Sequence, residues 1–322
     1  MVWKPNRKPA PEPAGTAMPA AEPAPSSGGA CASPEPLRFA GVSLDRPRVM
    51  GVVNVTPDSF SDGGEAFATD HAIARGLEMA RAGAAFVDVG GESTRPGAEP
   101  VAVEEELRRV IPVVSALAAE GVRVSIDTRR PEVMAAALDA GALIVNDITA
   151  LAGDPRSLPL VAERGVAVVL MHMQGEPRTM QADPRYEDAA RDIHAWLAAR
   201  LEACLAAGIA RERVALDPGV GFGKTLEHNL RVLSHLAVYR QLGCALLIGV
   251  SRKSFIARLS DGAAVVDRLP GSLAAGLAAV AQGAHILRVH DVEATVQALN
   301  VWGAISAAAT GLSNLEFGGA GV

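Results

Sequence analysis

From Leu37 onward the chain alternates between two hydrophobic rhythms. Short apolar, β-branched runs of strand length give way to loops of Gly and polar residues, and these to longer Ala/Leu/Glu/Arg-rich stretches with helical spacing. The runs predict strands at 49–53, 85–89, 122–126, 142–146, 166–171, 213–216, 245–249 and 285–289. The stretches between and after them predict helices at about 70–82, 102–119, 131–140, 156–164, 186–207, 227–241, 252–259 with 271–282, and 292–303. Eight βα units in one domain spanning 37–304 fit an α/β fold of the (β/α)8 TIM-barrel type. An open dinucleotide-binding sheet fits less well, because no G-x-G-x-x-G follows the first strand. Residues 1–36 are rich in Pro, Ala, Gly and Ser and lack apolar periodicity, so a disordered extension is expected there. A flexible tail is expected over the Gly-rich 305–322.

Composition narrows the partners. Of 322 residues 49% are hydrophobic, enough for a sizeable core, and the formal net charge of -6 argues against nucleic acid, which requires clustered Lys and Arg. A local pocket for a small anion is still compatible with that balance. Cys31, Cys204 and Cys244 are far apart and form no C-x-x-C, so neither a disulfide frame nor a thiolate metal site is indicated. No apolar run is long enough to cross a membrane and no secretory apolar block stands at the N-terminus, which makes cytoplasm the expected location. The lysines are sparse: Lys4, Lys8, Lys224 and Lys253 are the only ones, the remaining basic residues being arginine. Two internal lysines in an arginine-dominated chain suggest sites where a compact ammonium is wanted.

A barrel carries its chemistry at the C-terminal ends of its strands, so polar residues with chemical potential should cluster there. They do: Asn54, Asp88, Asp127, Asn146 with Asp147, His172 with Gln174, Asp217, Ser251-Arg252-Lys253, and Arg288 with His290 and Asp291 close the eight runs in turn. After the first strand comes a loop, Thr56 to Gly64, in which Asp58, Ser59, Ser61 and Asp62 surround Phe60. Asp, Ser, Gly and Pro make this either a surface turn or a loop that closes over a ligand. The carboxylates and amide of Asp127, Asn146 and Asp217 offer acceptors suited to the N–H-rich edge of an aminopyrimidine or pterin ring. Arg288 and His290 alternate, share a side and, with Asn54 across the sheet, are placed to hold an anion. Pairing of Arg288 with Asp291 or Glu293 is the structural alternative. Leu216 to Thr225 is glycine-rich but lacks P-loop spacing, since Gly219 stands one place too close to Lys224. Phe60 and Phe222, in glycine loops of a chain with 4% aromatics, suggest contact with a flat ligand. His71, His194, His228, His235 and His285 lack metal-ligand spacing and are expected to be structural. Oxygen ligands, Asn54 and the loop acids, instead suit Mg2+ carried with a diphosphate.

The chain resembles the dihydropteroate synthase family across residues 37–304. The resemblance rests on Asn54-Val-Thr-Pro-Asp-Ser-Phe-Ser-Asp-Gly-Gly64, Gly90-Gly-Glu-Ser-Thr-Arg-Pro-Gly97, Ile126-Asp-Thr128, Asn146-Asp-Ile148, Met171-His-Met-Gln174, Leu216 to Lys224, Ser251-Arg-Lys-Ser-Phe255 and Arg288-Val-His-Asp291, in that order. It implies a transferase of folate biosynthesis and sulfonamide-target type that joins 6-hydroxymethyl-7,8-dihydropterin diphosphate to 4-aminobenzoate, releasing diphosphate and 7,8-dihydropteroate. It also implies that Asp127, Asn146, Asp217 and Lys253 grip the pterin, with Arg288 along its face. Asn54, Thr94, Arg288 and His290 would hold the diphosphate, Asn54 meeting Mg2+. Phe60, Thr94, Pro96, Phe222, Ser251 and Lys253 would form the 4-aminobenzoate pocket, and Asp58, Asp62, Arg95 and Lys253 would serve the reaction itself. A homodimer taking only small-molecule substrates is expected on the same ground. A corrinoid-linked methyltransferase of the related pterin-binding class would share the acids but not need the diphosphate loop or Ser251-Arg-Lys-Ser254. A non-catalytic pterin-binding paralogue should have lost loop residues that this chain keeps.

Overall fold

The computed structural model describes residues 36–56, 64–93 and 97–309. The expected extension lies outside them save for Pro36, as do Asp58, Phe60, Asp62, Thr94, Arg95 and Pro96. Eight parallel strands close into a barrel: β3 (Arg48–Asn54), β4 (Phe86–Gly90), β5 (Val124–Asp127), β6 (Ile144–Asp147), β7 (Ala167–Met171), β8 (Val214–Asp217), β9 (Ala245–Gly249) and β10 (Ile286–Val289). Closure comes from β10, which bonds to β9 on one side and to β3 on the other. The predicted (β/α)8 architecture is therefore the one formed, with every strand limit within two residues of the expected one.

Around it lie α1 (Gly64–Arg81), α2 (Val103–Ala119), α3 (Pro131–Asp139), α4 (Ser157–Arg164), α5 (Ala189–Ala206), α6 (Leu226–Leu233), α7 (Ser254–Leu259), α8 (Leu269–Ala281) and α9 (Val292–Ala309). Asp188 starts α5 three residues later than its periodicity predicts, because its carboxylate accepts from the Ala190 and Arg191 amides. The expected helix 227–241 ends at Leu233, and a 3-10 run over Leu236–Leu242 takes its place, burying Leu236 and Tyr239. Leu269-Pro270 opens α8, where the missing proline N–H costs nothing. The last helix continues to Ala309, so the first residues of the expected tail are helical.

Strand register decides which side chains face the barrel interior. Paired residues across neighbouring strands share a face: Met50 aligns with Phe86, Val52 with Asp88, Asp88 with Ser125, Asp127 with Asn146, Asn146 with Val169, Met171 with Asp217, and Gly249 with Arg288. The alternate positions, such as Val87, Ile126, Val168, Leu216, Ile248 and Leu287, point outward into the helix layer and join one continuous buried cluster. Each such buried aliphatic side chain contributes on the order of 1.5–3 kcal/mol, so both faces of the sheet are committed and a register slip is strongly disfavoured. Inside, the lower layer is apolar: Met50, Phe86, Ile144, Val169, Ala215, Leu247 and Ile286. A hairpin absent from the sequence expectations, β1 (Arg38–Phe39) and β2 (Val42–Ser43), plugs that end. Its Phe39 is fully buried and meets the Phe86 ring edge-on at 5.8 Å. With the bottom sealed by hydrocarbon, the polar residues of the same inward rows are left to the opposite end.

Candidate active site

Four inward-facing residues from four strands form one ionic cluster at the C-terminal end. Arg288 on β10 donates through Nε to Asp88 Oδ2 on β4 at 2.6 Å and through Nη2 to Asp127 Oδ2 on β5 at 2.5 Å. Asn146 on β6 donates to the same Asp88 Oδ2 at 2.9 Å. That bond fixes the amide, leaving its carbonyl oxygen as an acceptor for a ligand. Arg288 thus pairs with neither Asp291 nor Glu293, the two structural alternatives read from the sequence. Asp88 is fully buried, and its Oδ1 has no hydrogen-bond partner among the described residues. It belongs to the site as the anchor of Arg288 and Asn146, a role the sequence reading did not give it. Its signal was the alternation itself: in Phe-Val-Asp-Val-Gly, Asp88 shares the parity of Phe86 and faces the interior. Burial raises the pKa of Asp127; Arg288 lowers it and Asp88 adds to the rise.

Asp217, at the end of β8, is buried and accepts at Oδ1 from the Gly219 amide at 2.7 Å. Burial raises its pKa, opposed by Lys253 and by that hydrogen bond. Lys253 brings its ammonium to the Val220 carbonyl, and 4.7 Å from the centre of the Phe222 ring. Burial pulls this lysine down to about 8, against the raising effect of Asp217. Lys253, Phe222 and Asp217 are therefore brought together, by a loop that must turn sharply. Gly219, at φ +68, has the place where a Cβ would stand only 1.9 Å from the His172 carbonyl oxygen, so no other residue fits there without displacing the strand next to it.

The described residues expected to hold an anion, Asn54, Arg288 and His290, stand at the ends of β3 and β10. His290 donates its amide to Ser251 Oγ at 3.1 Å and places Nδ1 3.0 Å from the same hydroxyl. Ser251 is buried in this contact; it was expected beside Phe222, and the structure instead makes it the support of His290. The exposed serine on the side of the Phe222 loop is Ser254, the first residue of α7, which with Gly221 lines a cavity of about 270 Å³. Arg252 is occupied by Asp291, Nε to Oδ2 at 2.9 Å. Asn54 ends β3, half-buried, in the row that faces the interior. Gln174 turns away into its own loop, bonding the Arg185 amide and carbonyl at 2.8 and 2.9 Å. Behind β4 and β5, Glu92 binds Arg129 and Arg130 at 3.0 and 2.7 Å, and the buried Glu106 accepts from Thr128 at 2.6 Å, which ties these two loops to α2. Two of the predicted structural histidines have visible tasks: His228 completes a capping box with Thr225 at the start of α6, and His285 accepts from the Leu246 amide at 3.0 Å. The expected contributions of Asp58, Phe60, Asp62, Thr94, Arg95 and Pro96 lie outside the described residues.

The site can therefore present fixed acceptors to a flat N–H-bearing ring and lay a guanidinium and an ammonium beside it, with the Ser251–His290 pair next door. A (β/α)8 barrel with that mouth is a small-molecule enzyme of the pterin-binding class. A family model described as pterin binding enzyme matches residues 50–290. The dihydropteroate synthase of Escherichia coli (strain K12) is 50% identical over 264 residues, 81% of this chain and 93% of its own length. Among solved structures, Xanthomonas albilineans dihydropteroate synthase with 4-aminobenzoic acid superposes with TM-score 0.79 at 50% identity, over 85% of this chain and 98% of that one. The Burkholderia cenocepacia enzyme complexed with 7,8-dihydropteroate gives 0.77 at 45% identity, over 84% of this chain and 95% of that one. The chain belongs to the dihydropteroate synthase family and is a transferase of that kind.

Proposed function

We propose that this enzyme joins 6-hydroxymethyl-7,8-dihydropterin diphosphate to 4-aminobenzoate, giving 7,8-dihydropteroate and diphosphate. The observation that carries the reading is the inward row of Asp127, Asn146, Asp217 and Arg288, whose acceptors and guanidinium are set by strand register and by Asp88. Asp127, Asn146 and Asp217 take the N–H groups of the pterin, Lys253 meets its carbonyl edge, and Arg288 lies along the ring. Asn54, Thr94, Arg288 and His290 hold the diphosphate. Among the described residues no group of three His, Cys, Asp or Glu is placed to hold a metal ion. Asn54 offers a single neutral oxygen, a donor set that fits Mg2+ brought by the substrate diphosphate and otherwise hydrated. Bound there, Mg2+ neutralises charge on the leaving group.

Departure of the diphosphate leaves positive charge on the pterin methylene. Fixed carboxylates beside the ring lower the energy of that charge without forming a covalent bond to it, so no Ser or Cys nucleophile is needed. The aryl amine then attacks the methylene carbon and loses its proton. The 4-aminobenzoate is held between Phe222, Lys253 and the loops that carry Phe60, Thr94 and Pro96, with Ser254 taking the place first given to Ser251. Asp58, Asp62 and Arg95 complete this second pocket after the pterin has bound, so pterin diphosphate adds before 4-aminobenzoate. A cytoplasmic homodimer is part of the same reading. Calorimetry tests it: pterin diphosphate should bind the free enzyme, and 4-aminobenzoate only in the presence of pterin and diphosphate. Tight binding of 4-aminobenzoate alone would overturn the order. Methyl transfer to a corrinoid, without diphosphate release, would replace the reaction by that of the related methyltransferases.

A further inference from the structure

Of the four lysines in the chain, Lys224 is buried, 3% exposed, and has no part in the reaction just described. Its ammonium lies between two active-site loops. Nζ donates to His172 Nδ1 at 3.1 Å, at the end of β7, and to the Phe222 carbonyl at 2.9 Å, in the loop after β8. It also stands 5.9 Å over the Tyr186 ring, and the Tyr186 hydroxyl donates to the Gly223 carbonyl at 2.8 Å. Gln181 adds a third strap, donating to the Gly221 carbonyl at 2.7 Å. On the β7 side Gln181 and Tyr186 grip the Gly221 and Gly223 carbonyls, and Lys224, within the loop, takes the Phe222 carbonyl between them and ties it to His172. His172 is kept neutral, its pKa pulled down to about 3 by burial and by Lys224, so Nδ1 remains an acceptor for the ammonium.

The cavity of about 270 Å³ borders the same segment, between Gln181, Gly221 and Lys224 on one side and Ser254, Phe255 and Arg258 of α7 on the other. Packing therefore leaves room beside the segment, and what holds Phe222 is polar: the bonds from the β7 side, the Asn229 side-chain carbonyl that accepts the Gly221 amide at 2.7 Å, and the Lys253 ammonium over the ring.

We propose that Lys224 is a positioning residue for the second substrate: by latching the loop after β8 to the end of β7, it holds Phe222 at the wall of the 4-aminobenzoate pocket and keeps the loop from sinking into the cavity. This rests on the reading that Phe222 lines that pocket. The pterin grip should depend on the latch much less than the 4-aminobenzoate pocket does, since Asp127, Asn146, Asp217 and Arg288 stand on strands and only Lys253 touches the loop.

Steady-state kinetics and calorimetry on the full chain test this with Lys224→Met, Tyr186→Phe and the double variant. Lys224→Met should raise KM for 4-aminobenzoate roughly tenfold, the usual size of one lost charged hydrogen bond. Its Kd for pterin diphosphate should stay within about threefold, the spread of ordinary context effects. Tyr186→Phe should move the same KM in the same direction by a smaller factor. The double variant should be little worse than Lys224→Met, because members of one latch are not additive. An unchanged KM, or parallel loss of pterin affinity, overturns the proposal. If Lys224→Met does not fold, Tyr186→Phe decides: a raised KM with intact pterin affinity supports the latch and an unchanged KM overturns it. A wild-type chain that makes no dihydropteroate overturns the functional reading and the latch together; one that turns over, with flat variants, overturns the latch alone.

Discussion

Arg288 is the residue whose removal should be most costly. Its side chain is 22% exposed and bridges Asp88, which is wholly buried, and Asp127, which is 14% exposed. Arg288→Met keeps most of the aliphatic bulk but leaves two carboxylates facing one another across β4 and β5 with no cation between them. Breaking a buried pair from one side costs ~3–5 kcal/mol, and the partial exposure of Asp127 places this case toward the lower end. Against a total stability of ~5–15 kcal/mol the loss would be visible at once in urea denaturation. The pH dependence is the sharper test. In the variant Asp127 loses the cation that lowers its pKa and keeps the burial and the Asp88 charge that raise it, so its folded pKa lies further above the unfolded value of about 3.9. The folded state then binds more protons than the unfolded state, and stability present at low pH is lost as pH rises through that folded pKa. The deficit relative to wild type should therefore be small near pH 4 and grow to about 3 kcal/mol by neutral pH. Adding Asp88→Asn should recover part of it at neutral pH and almost none at pH 4. A deficit that stays flat with pH, or below about 1 kcal/mol throughout, would mean that the pair is screened by water and does not organise the site.

Other expectations follow from the same geometry. Asp217→Asn should melt higher than wild type at neutral pH without ligand, because it removes a carboxylate whose burial raises its pKa, yet bind pterin diphosphate roughly 10- to 100-fold more weakly by calorimetry. Equal affinity would remove Asp217 from the ring contacts. Lys253, drawn down to about 8 by burial, should lose its proton as pH rises from 7 to 9. Pterin diphosphate affinity should fall over that range while ligand-free stability gains, since the unfolded lysine still holds the proton that the folded one has shed; Lys253→Met should bind weakly with no such pH trend. Gly219→Ala should destabilise by about 2 kcal/mol or more in chemical denaturation, from the strain of a positive φ and the clash with the His172 carbonyl.

The barrel was legible because each of its strands is a β-branched run followed by a polar end, and that pattern survives errors of one or two residues at the boundaries. The inward row of Asp127, Asn146, Asp217 and Arg288 was legible for a related reason: a charged or amide side chain closing a buried strand has few places to go except the mouth. Asp88 escaped because its role depends on what crosses the barrel to meet it, and no local pattern shows that Arg288 arrives from a strand 200 residues away. Ser251 was read as a neighbour of Phe222 because only the turn that follows it, with Arg252 at φ +59, decides which hydroxyl of Ser251 and Ser254 goes to His290 and which to the cavity. The hairpin of β1 and β2 was invisible since two-residue strands carry no periodicity, although Phe39 is the plug of the barrel floor. Lys224 stood out in the sequence as a lysine among arginines; its partners on β7 came only with the fold.

The most direct test is to follow diphosphate and 7,8-dihydropteroate together after mixing the enzyme with pterin diphosphate, Mg2+ and 4-aminobenzoate. The two products should appear in equal amounts, with both lost in Asp217→Ala and dihydropteroate absent when 4-aminobenzoate is omitted. Diphosphate release with no dihydropteroate in the complete mixture, or undiminished formation of both by Asp217→Ala, would contradict a pterin held by the strand ends and transferred to the amine.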